Sequence, residues 1–247
     1  MFFDEFELLD LRMSIMDPYV DYFVLVESSY SHTGNRKPLY FNERLKEFNC
    51  KKIRHIIVDE KPMDVAWDNE NFQRNNITRG LFDADPDDII VVSDVDEIPN
   101  PIAIINNLNL LKKRKIFSLK QKMFYFYINF MLKERWRGPA VCKKKNMKSP
   151  QWMRKKRFGF SVNNGGWHYG YLGGENKVRQ KIDRVCHTDI NIDIAKDIEH
   201  IKKCMKTGCD LFERRKKLKI VDLDGNSPNC IKKYMKKYPE VIREKIS

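Results

Sequence analysis

Several common classes are excluded by what this 247-residue chain lacks. No stretch approaches the roughly 18 consecutive apolar residues of a membrane span. The opening Met1-Phe2-Phe3-Asp4-Glu5-Phe6-Glu7 carries acids where a secretory leader has a basic end and an apolar run. The expectation is a soluble, cytoplasmic protein. No CxxC pair is present: Cys50, Cys142, Cys186, Cys204, Cys209 and Cys230 are scattered, which argues against a zinc site or a dense disulfide framework and for reduced thiols. Internal repeats and low-complexity linkers are absent. So is the Gly-rich, Lys/Arg-bearing triphosphate loop that a nucleotidyltransferase, the alternative enzyme class, carries after its first strand.

Positive charge and aromatic residues are abundant. Lys+Arg 47 against Asp+Glu 34 gives +13, a bias that attracts nucleotides, polyanions or an acidic membrane surface without choosing among them. With 42% hydrophobic and 12% aromatic residues, the composition is that of a globular α/β-sized domain. Residues 7–16 place Leu8, Leu9, Leu11, Ile15 and Met16 at helical spacing. Residues 20–26, 53–58 and 88–93 read as strands, 68–82 as a helix. The run 88–93 is apolar on both faces, as in a parallel sheet covered on both sides. Residues 116–132 crowd Phe, Tyr and Met as in a long strand or hairpin. A basic loop, a Gly-rich segment at 165–174 and Lys-rich helices follow.

The strongest chemical signal closes the third strand, where Ser93-Asp94-Val95-Asp96-Glu97-Ile98-Pro99 delivers two carboxylates, one residue apart, to a sheet edge of the kind that binds ligands. Such carboxylates offer hard oxygen ligands to Mg²⁺ or Mn²⁺ bridging to substrate phosphates; a solvated turn is the bland alternative. Glu27 and Ser28, where the first strand runs into a small polar loop, suit a base and a ribose, although Glu27 could equally cap a helix. Arg74 and Arg79 could reach a diphosphate, or form surface salt bridges. A nucleic-acid-binding reading would use the basic tail but leaves the two carboxylates unexplained, so no nucleic-acid partner is expected.

The order strand, acid, Ser/Thr loop, Arg-bearing helix and strand ending in Asp-x-Asp resembles the GT-A nucleotide-sugar glycosyltransferases. More closely, the strings 20–28 (VDYFVLVES), 37–41 (KPLYF), 92–99 (VSDVDEIP) and 165–169 (GGWHY), with Gly173-Gly174, are similar to glycosyltransferase family 17. The likeness runs from about residue 3 to 187. It implies an α/β GT-A domain with a mostly parallel central sheet over residues 1–192, followed by a basic helical extension, 193–247, packed on it. It further implies metal-dependent, inverting transfer of a sugar, most plausibly N-acetylglucosamine from UDP-GlcNAc, to a carbohydrate or glycoprotein hydroxyl. Asp94 and Asp96 would hold Mn²⁺ or Mg²⁺; Glu27, Ser28, Arg74, Arg79, Asp94, Val95 and Trp167 would contact the nucleotide sugar. A metal-binding His downstream of the base points to His187, with His168 as the alternative. Family members place a strand before the first helix, where this chain has only Met1 to Phe3, so either translation starts earlier or another segment completes the sheet. Eukaryotic members also carry a Golgi anchor that this sequence does not show.

Gly173-Gly174-Glu175-Asn176 resembles the Gly-Gly-Glu-Asp string of inverting galactosyltransferases. It makes Glu175 the expected base, against the alternative of a helix N-terminal acid, with Asp183 and Asp189 as fallbacks. Paired lysines after residue 193, interleaved with Ile, Leu and Met, would suit peripheral contact with an anionic membrane.

Overall fold

The computed structural model describes residues 1–48, 51–184 and 192–243. Helix α1 (Phe6–Met16) buries Leu8, Leu9, Leu11 and Met16. The β-branched strands β1 (Phe23–Ser28) and β2 (Ile53–Val58) pair in parallel, Phe23 opposite Ile53 through Ser28 opposite Val58, and α2 (Tyr40–Arg44) lies between them in the chain. Phe2 forms a single parallel bridge to Glu27, its amide donating to the Val26 carbonyl at 2.9 Å. Helix α3 (Ala66–Asn75) runs on as a 3₁₀ segment, Asn76–Leu81. That segment packs on β1 and β2 where Gly80 leaves room for Val24: a Cβ on Gly80 would lie 2.5 Å from a Val24 methyl.

Strands β3 (Ile89–Val92) and β4 (Glu97–Pro99) flank the carboxylate turn, and α4 (Pro101–Ile105) starts on an Asn100 side-chain cap. The aromatic stretch forms a hairpin of β5 (Ile116–Tyr125) and β6 (Phe130–Lys143). Helix α5 (Pro150–Lys156), capped by Ser149, strands β7 (Ser161–Val162) and β8 (Gly166–Gly170), and helices α6 (Glu175–Arg184), α7 (Ile192–Lys196) and α8 (Ile198–Thr207) follow. Strand β9 (Leu218–Ile220) and helix α9 (Ile231–Lys237) complete the described elements.

The α/β class expected from the alternation is present, but the central sheet is mixed instead of mostly parallel. Its order is β3-β6-β5-β8-β4, with β7 on β5 and β9 on β6, and β1-β2 forms a separate pair. The β3–β6, β5–β6, β4–β8 and β6–β9 ladders are antiparallel; β5–β7 and β5–β8 are parallel. Burial on both faces was read correctly from the apolar run 88–93. Ile90, Val92, Ala140 and Cys142 face one core with Met153 of α5, while Val91, Phe117, Leu119 and Val141 face another with Ala103 and Ile104 of α4. Double burial does not specify strand direction. Here the long hairpin, not a helical crossover, supplies the partner of β3.

The segment after residue 193 is part of the domain's interior. Strand β9 extends the sheet, Ile201, Cys204, Leu211 and Leu218 fill one core, and Ile231, Tyr234 and Val241 enter the core around α1. Contrary to the expectation of reduced thiols, Cys204 and Cys209 form a disulfide around the left-handed Gly208 (φ 77°). Cys142 and Cys230 are free thiols, and Cys50 and Cys186 lie outside the described residues. Lys202, Lys203, Lys232, Lys233, Lys236 and Lys237 are exposed. No helix among the described residues is long and apolar enough to cross a membrane.

In the Gly-rich segment, Gly165 and Gly166 both leave no room for a side chain, and Gly166 is the tighter. Gly166 sits at φ 122°, and a Cβ there would lie 2.1 Å from the Ile98 carbonyl oxygen, across the β4–β8 ladder that carries His168 and Glu97. Gly166→Ala is expected to cost more than about 2 kcal/mol in urea unfolding, whereas Gly225→Ala, with open space around its Cβ, bears only the cost of its positive φ.

Candidate active site

The turn between β3 and β4 is built around its own backbone. The Asp94 amide donates to Glu97 Oε2 at 3.2 Å and the Glu97 amide to the Asp94 carbonyl at 3.1 Å. Val95 is driven into the core, which leaves Asp94 and Asp96 facing a cavity of about 700 Å³. Arg12, on the buried side of α1, clamps the turn from below: its guanidinium donates to the Asp94 carbonyl (3.1 Å), the Glu97 carbonyl (3.1 Å) and Ser93 Oγ (2.6 Å).

Each carboxylate of the turn faces a cation from a different element. Asp94 meets Arg74 of α3 at 3.3 Å and Arg154 of α5 at 2.7 Å. Asp96 accepts from Lys181 of α6 at 2.8 Å, with His168 Nε2 at 3.6 Å. Glu97 is fully buried, bound to Arg154 and to the Trp136 indole. Burial opposes ionisation of Asp94, but Arg154 and Arg74 outweigh it and hold the carboxyl well below the usual range. Burial likewise opposes ionisation of Asp96, and Lys181 and His168 outweigh it. Burial works against the Lys181 ammonium, yet Asp96 and Glu5 raise its pKa.

Of the residues singled out in the sequence, Asp94, Val95, Asp96 and Arg74 line this cleft. His168, Gly173 and Gly174 line it too, whereas Glu27, Ser28, Arg79, Trp167, Glu175 and Asp183 do not. Glu27 is fully buried. Its carboxylate accepts from the Phe41 (2.9 Å) and Asn42 (3.4 Å) amides that open α2 and lies 3.0 Å from His55 Nε2, so it caps a helix and does not face the cleft. Ser28 accepts from the Tyr30 amide behind the cleft wall. Arg79 is half-exposed and bonded to the Ile57 carbonyl and Asn76. Trp167 alternates away from His168 along β8, and its indole donates to the Asn226 carbonyl at 2.7 Å. Glu175 opens α6 without lining the cleft; the residues of that helix that do are Lys177, Gln180 and Lys181. Asp183 pairs with Lys196 at 3.1 Å. His187 and Asp189 lie outside the described residues.

The cleft residues missed in the sequence are mostly cations and aromatics. Arg154, Arg157, Lys181 and Trp136 line it, and Arg12 supports it. One signal was available. Val178 and Ile182 are the buried stripe of α6, and Lys177 and Lys181 repeat that i,i+4 spacing one position earlier on the face beside it. The composition of the cleft suits a metal ion in its donor chemistry, since two carboxylates aimed into a cavity are the oxygen ligands Mg²⁺ and Mn²⁺ take. Both are held by cations, however, and among the described residues no group of three His, Cys, Asp or Glu side chains is arranged around one point.

The sequence profile of glycosyltransferase family 17 matches residues 1–216 of this chain. The chain belongs to glycosyltransferase family 17. Similar curated proteins are the β-1,4-mannosyl-glycoprotein 4-β-N-acetylglucosaminyltransferases of Homo sapiens and Rattus norvegicus, each 33% identical over 106 residues, and of Mus musculus, 32% identical over the same length. The alignments cover 38% of this chain and 20% of each relative, so the chain spans about a fifth of their length. No solved structure matches significantly. The family match encloses the whole cation-ringed turn, while Glu240 and Val241, which also line the cleft, lie beyond it.

Two outcomes are expected. Glu27→Gln keeps the shape but weakens the cap on α2. It should lower the melting temperature, as measured by calorimetry. The folded-state pKa values of Asp94 and Asp96 are depressed below the unfolded value of about 3.9. Their pairing is therefore fully stabilising above roughly pH 5 and is lost as pH falls below about 4. Urea midpoints measured against pH should show that acid-side loss, and Asp96→Asn should flatten it.

Proposed function

We propose that this protein transfers N-acetylglucosamine from UDP-GlcNAc to a hydroxyl of a carbohydrate or glycoprotein acceptor, in a metal-dependent reaction that inverts C1 and on a GT-A-type domain. The observation that carries the reading is the Asp94-Val95-Asp96 turn, ringed by buried cations, in one large cleft of a family 17 chain. A cavity of about 700 Å³ is of the size that small-molecule and cofactor ligands occupy. The names of the mammalian relatives support the donor sugar.

Asp94 and Asp96 would hold the metal ion, which when bound offsets negative charge growing on the leaving diphosphate. The chain's own cations work in the same direction. Arg74, Arg154 and Lys181 lie within 3.3 Å of the two carboxylates, preorganised in a partly water-excluded site where charge stabilisation is stronger than in water. In the transfer, the acceptor oxygen bonds to C1 as its hydroxyl proton passes to a base or to water and the bond from C1 to the phosphate oxygen breaks, UDP departing with that electron pair. Tyr30, Ser31, His32 and Trp67 also line the cleft and would meet the nucleoside. Tyr125, Tyr171 and Phe212 form an aromatic wall suited to a sugar ring.

UDP release from a panel of nucleotide sugars, with and without Mn²⁺, tests the reading. UDP-GlcNAc is expected to be turned over faster than UDP-glucose or UDP-galactose, with loss of turnover in excess EDTA. Preference for a GDP- or CMP-sugar would overturn the donor assignment, and full activity in EDTA would overturn the metal role. Asp96→Asn should remove activity by about 10²-fold or more while the protein stays folded. Glu175→Gln should turn over at close to the wild-type rate, because its side chain stands outside the cleft.

A further inference from the structure

The charges on the cleft floor do not pair off evenly. Asp94 is taken by Arg74 and Arg154, Asp96 by Lys181, and Glu97 by Arg154 and the Trp136 indole. Among the arginines that meet these acids, Arg157 is the surplus one. It follows the last turn of α5, its guanidinium 4.7 Å from the Trp136 ring centroid and 4.8 Å from that of Phe158. Its nearest carboxylate oxygen, Glu97 Oε1, is 4.0 Å away, beyond hydrogen-bonding distance, and that oxygen is already engaged by Arg154 and Trp136. Nη1 of Arg157 is buried and makes no hydrogen bond among the described residues. Burial, and then repulsion from Arg154, push its pKa down to about 10, so it stays charged at neutral pH.

A buried guanidinium N–H without an acceptor is costly unless a ligand supplies one. The two flanking rings favour the cation and hold its plane while offering it no oxygen. The residue lines the same cavity as Asp94 and Asp96, and the anion that the proposed reaction brings there is a diphosphate. A planar guanidinium fork matches phosphate oxygens in geometry as well as charge.

We propose that Arg157 is the residue that binds the diphosphate of the nucleotide-sugar donor, hydrogen-bonding a phosphate oxygen through the guanidinium nitrogen that no protein acceptor takes. This rests on the donor reading above. It makes Arg157 a binding residue whose contribution grows as negative charge accumulates on the departing UDP.

The test pairs ligand-free stability with binding of three probes, UDP, inorganic pyrophosphate and uridine, by calorimetry on the full chain. Arg157→Gln is expected to melt at or above the wild-type temperature without ligand, because it removes an unpaired buried cation, and to bind UDP and pyrophosphate at least tenfold more weakly with uridine unchanged. Arg157→Lys, which keeps the charge and loses the fork, should fall between. If wild type binds UDP and Arg157→Gln binds UDP and pyrophosphate equally well, this inference is overturned while the donor reading stands. If wild type binds neither UDP nor pyrophosphate, the donor reading itself fails. Should Arg157→Gln not fold, Arg157→Lys decides: unchanged pyrophosphate affinity together with a lowered melting temperature would make Arg157 a structural residue and overturn the inference.

Discussion

The structure depends on a charge balance at one turn. The turn between β3 and β4 and the first residue of β4 carry three acids, Asp94, Asp96 and Glu97, into a largely buried position. Ionised carboxylates tolerate such a place only when cations and hydrogen bonds replace water. The fold supplies them from every side: Arg12 from α1 to the turn's backbone, Arg74 from α3, Arg154 from α5 and Lys181 from α6. Four helices that share no sheet position thereby converge on one point. Removing one member of such a buried set typically costs about 3–5 kcal/mol, because its partner is left charged and dry.

Packing and charge are coupled through Trp136. Its indole donates to Glu97, its ring stacks on His168 at 4.8 Å, and Arg157 lies within 4.7 Å of the ring centroid. Gly138, two residues on, brings the β6 backbone so close to Glu97 and Gln121 that a Cβ would lie 2.9 Å and 2.7 Å from their side-chain atoms. The hairpin that replaced the expected parallel crossover therefore does more than extend the sheet. It carries the aromatic that positions the cleft's His and surplus Arg.

The C-terminal segment shows how a basic tail can be interior on one face and solvated on the other. Ile201 and Cys204 of α8, and Ile231 and Tyr234 of α9, are buried, while Lys202, Lys203, Lys232 and Lys233 on the same helices are exposed. Trp167, whose indole bonds the Asn226 carbonyl, ties β8 to this segment. The residue that seemed suited to stack on a sugar instead fastens the C-terminal region beneath the sheet.

By itself the sequence determined the alternation of helices and strands, the strand apolar on both faces, and the carboxylate pair at its end. These are local properties: a period of 3.6 or 2 residues, a β-branched run, two acids one residue apart. It also carried the family likeness that the profile match bears out over residues 1–216. Strand direction was decided only in three dimensions, because an apolar run buries equally well beside a parallel or an antiparallel neighbour. The role of Glu27 was decided by the α2 amides, which follow it by 14 and 15 residues, and that of Trp167 by the alternation that turned His168, not the indole, into the cleft. Arg154 and Arg157 were invisible among 47 basic residues. Nothing in the sequence around a lysine or arginine says which buried carboxylate, 50 to 90 residues away in the chain, it will be brought to meet.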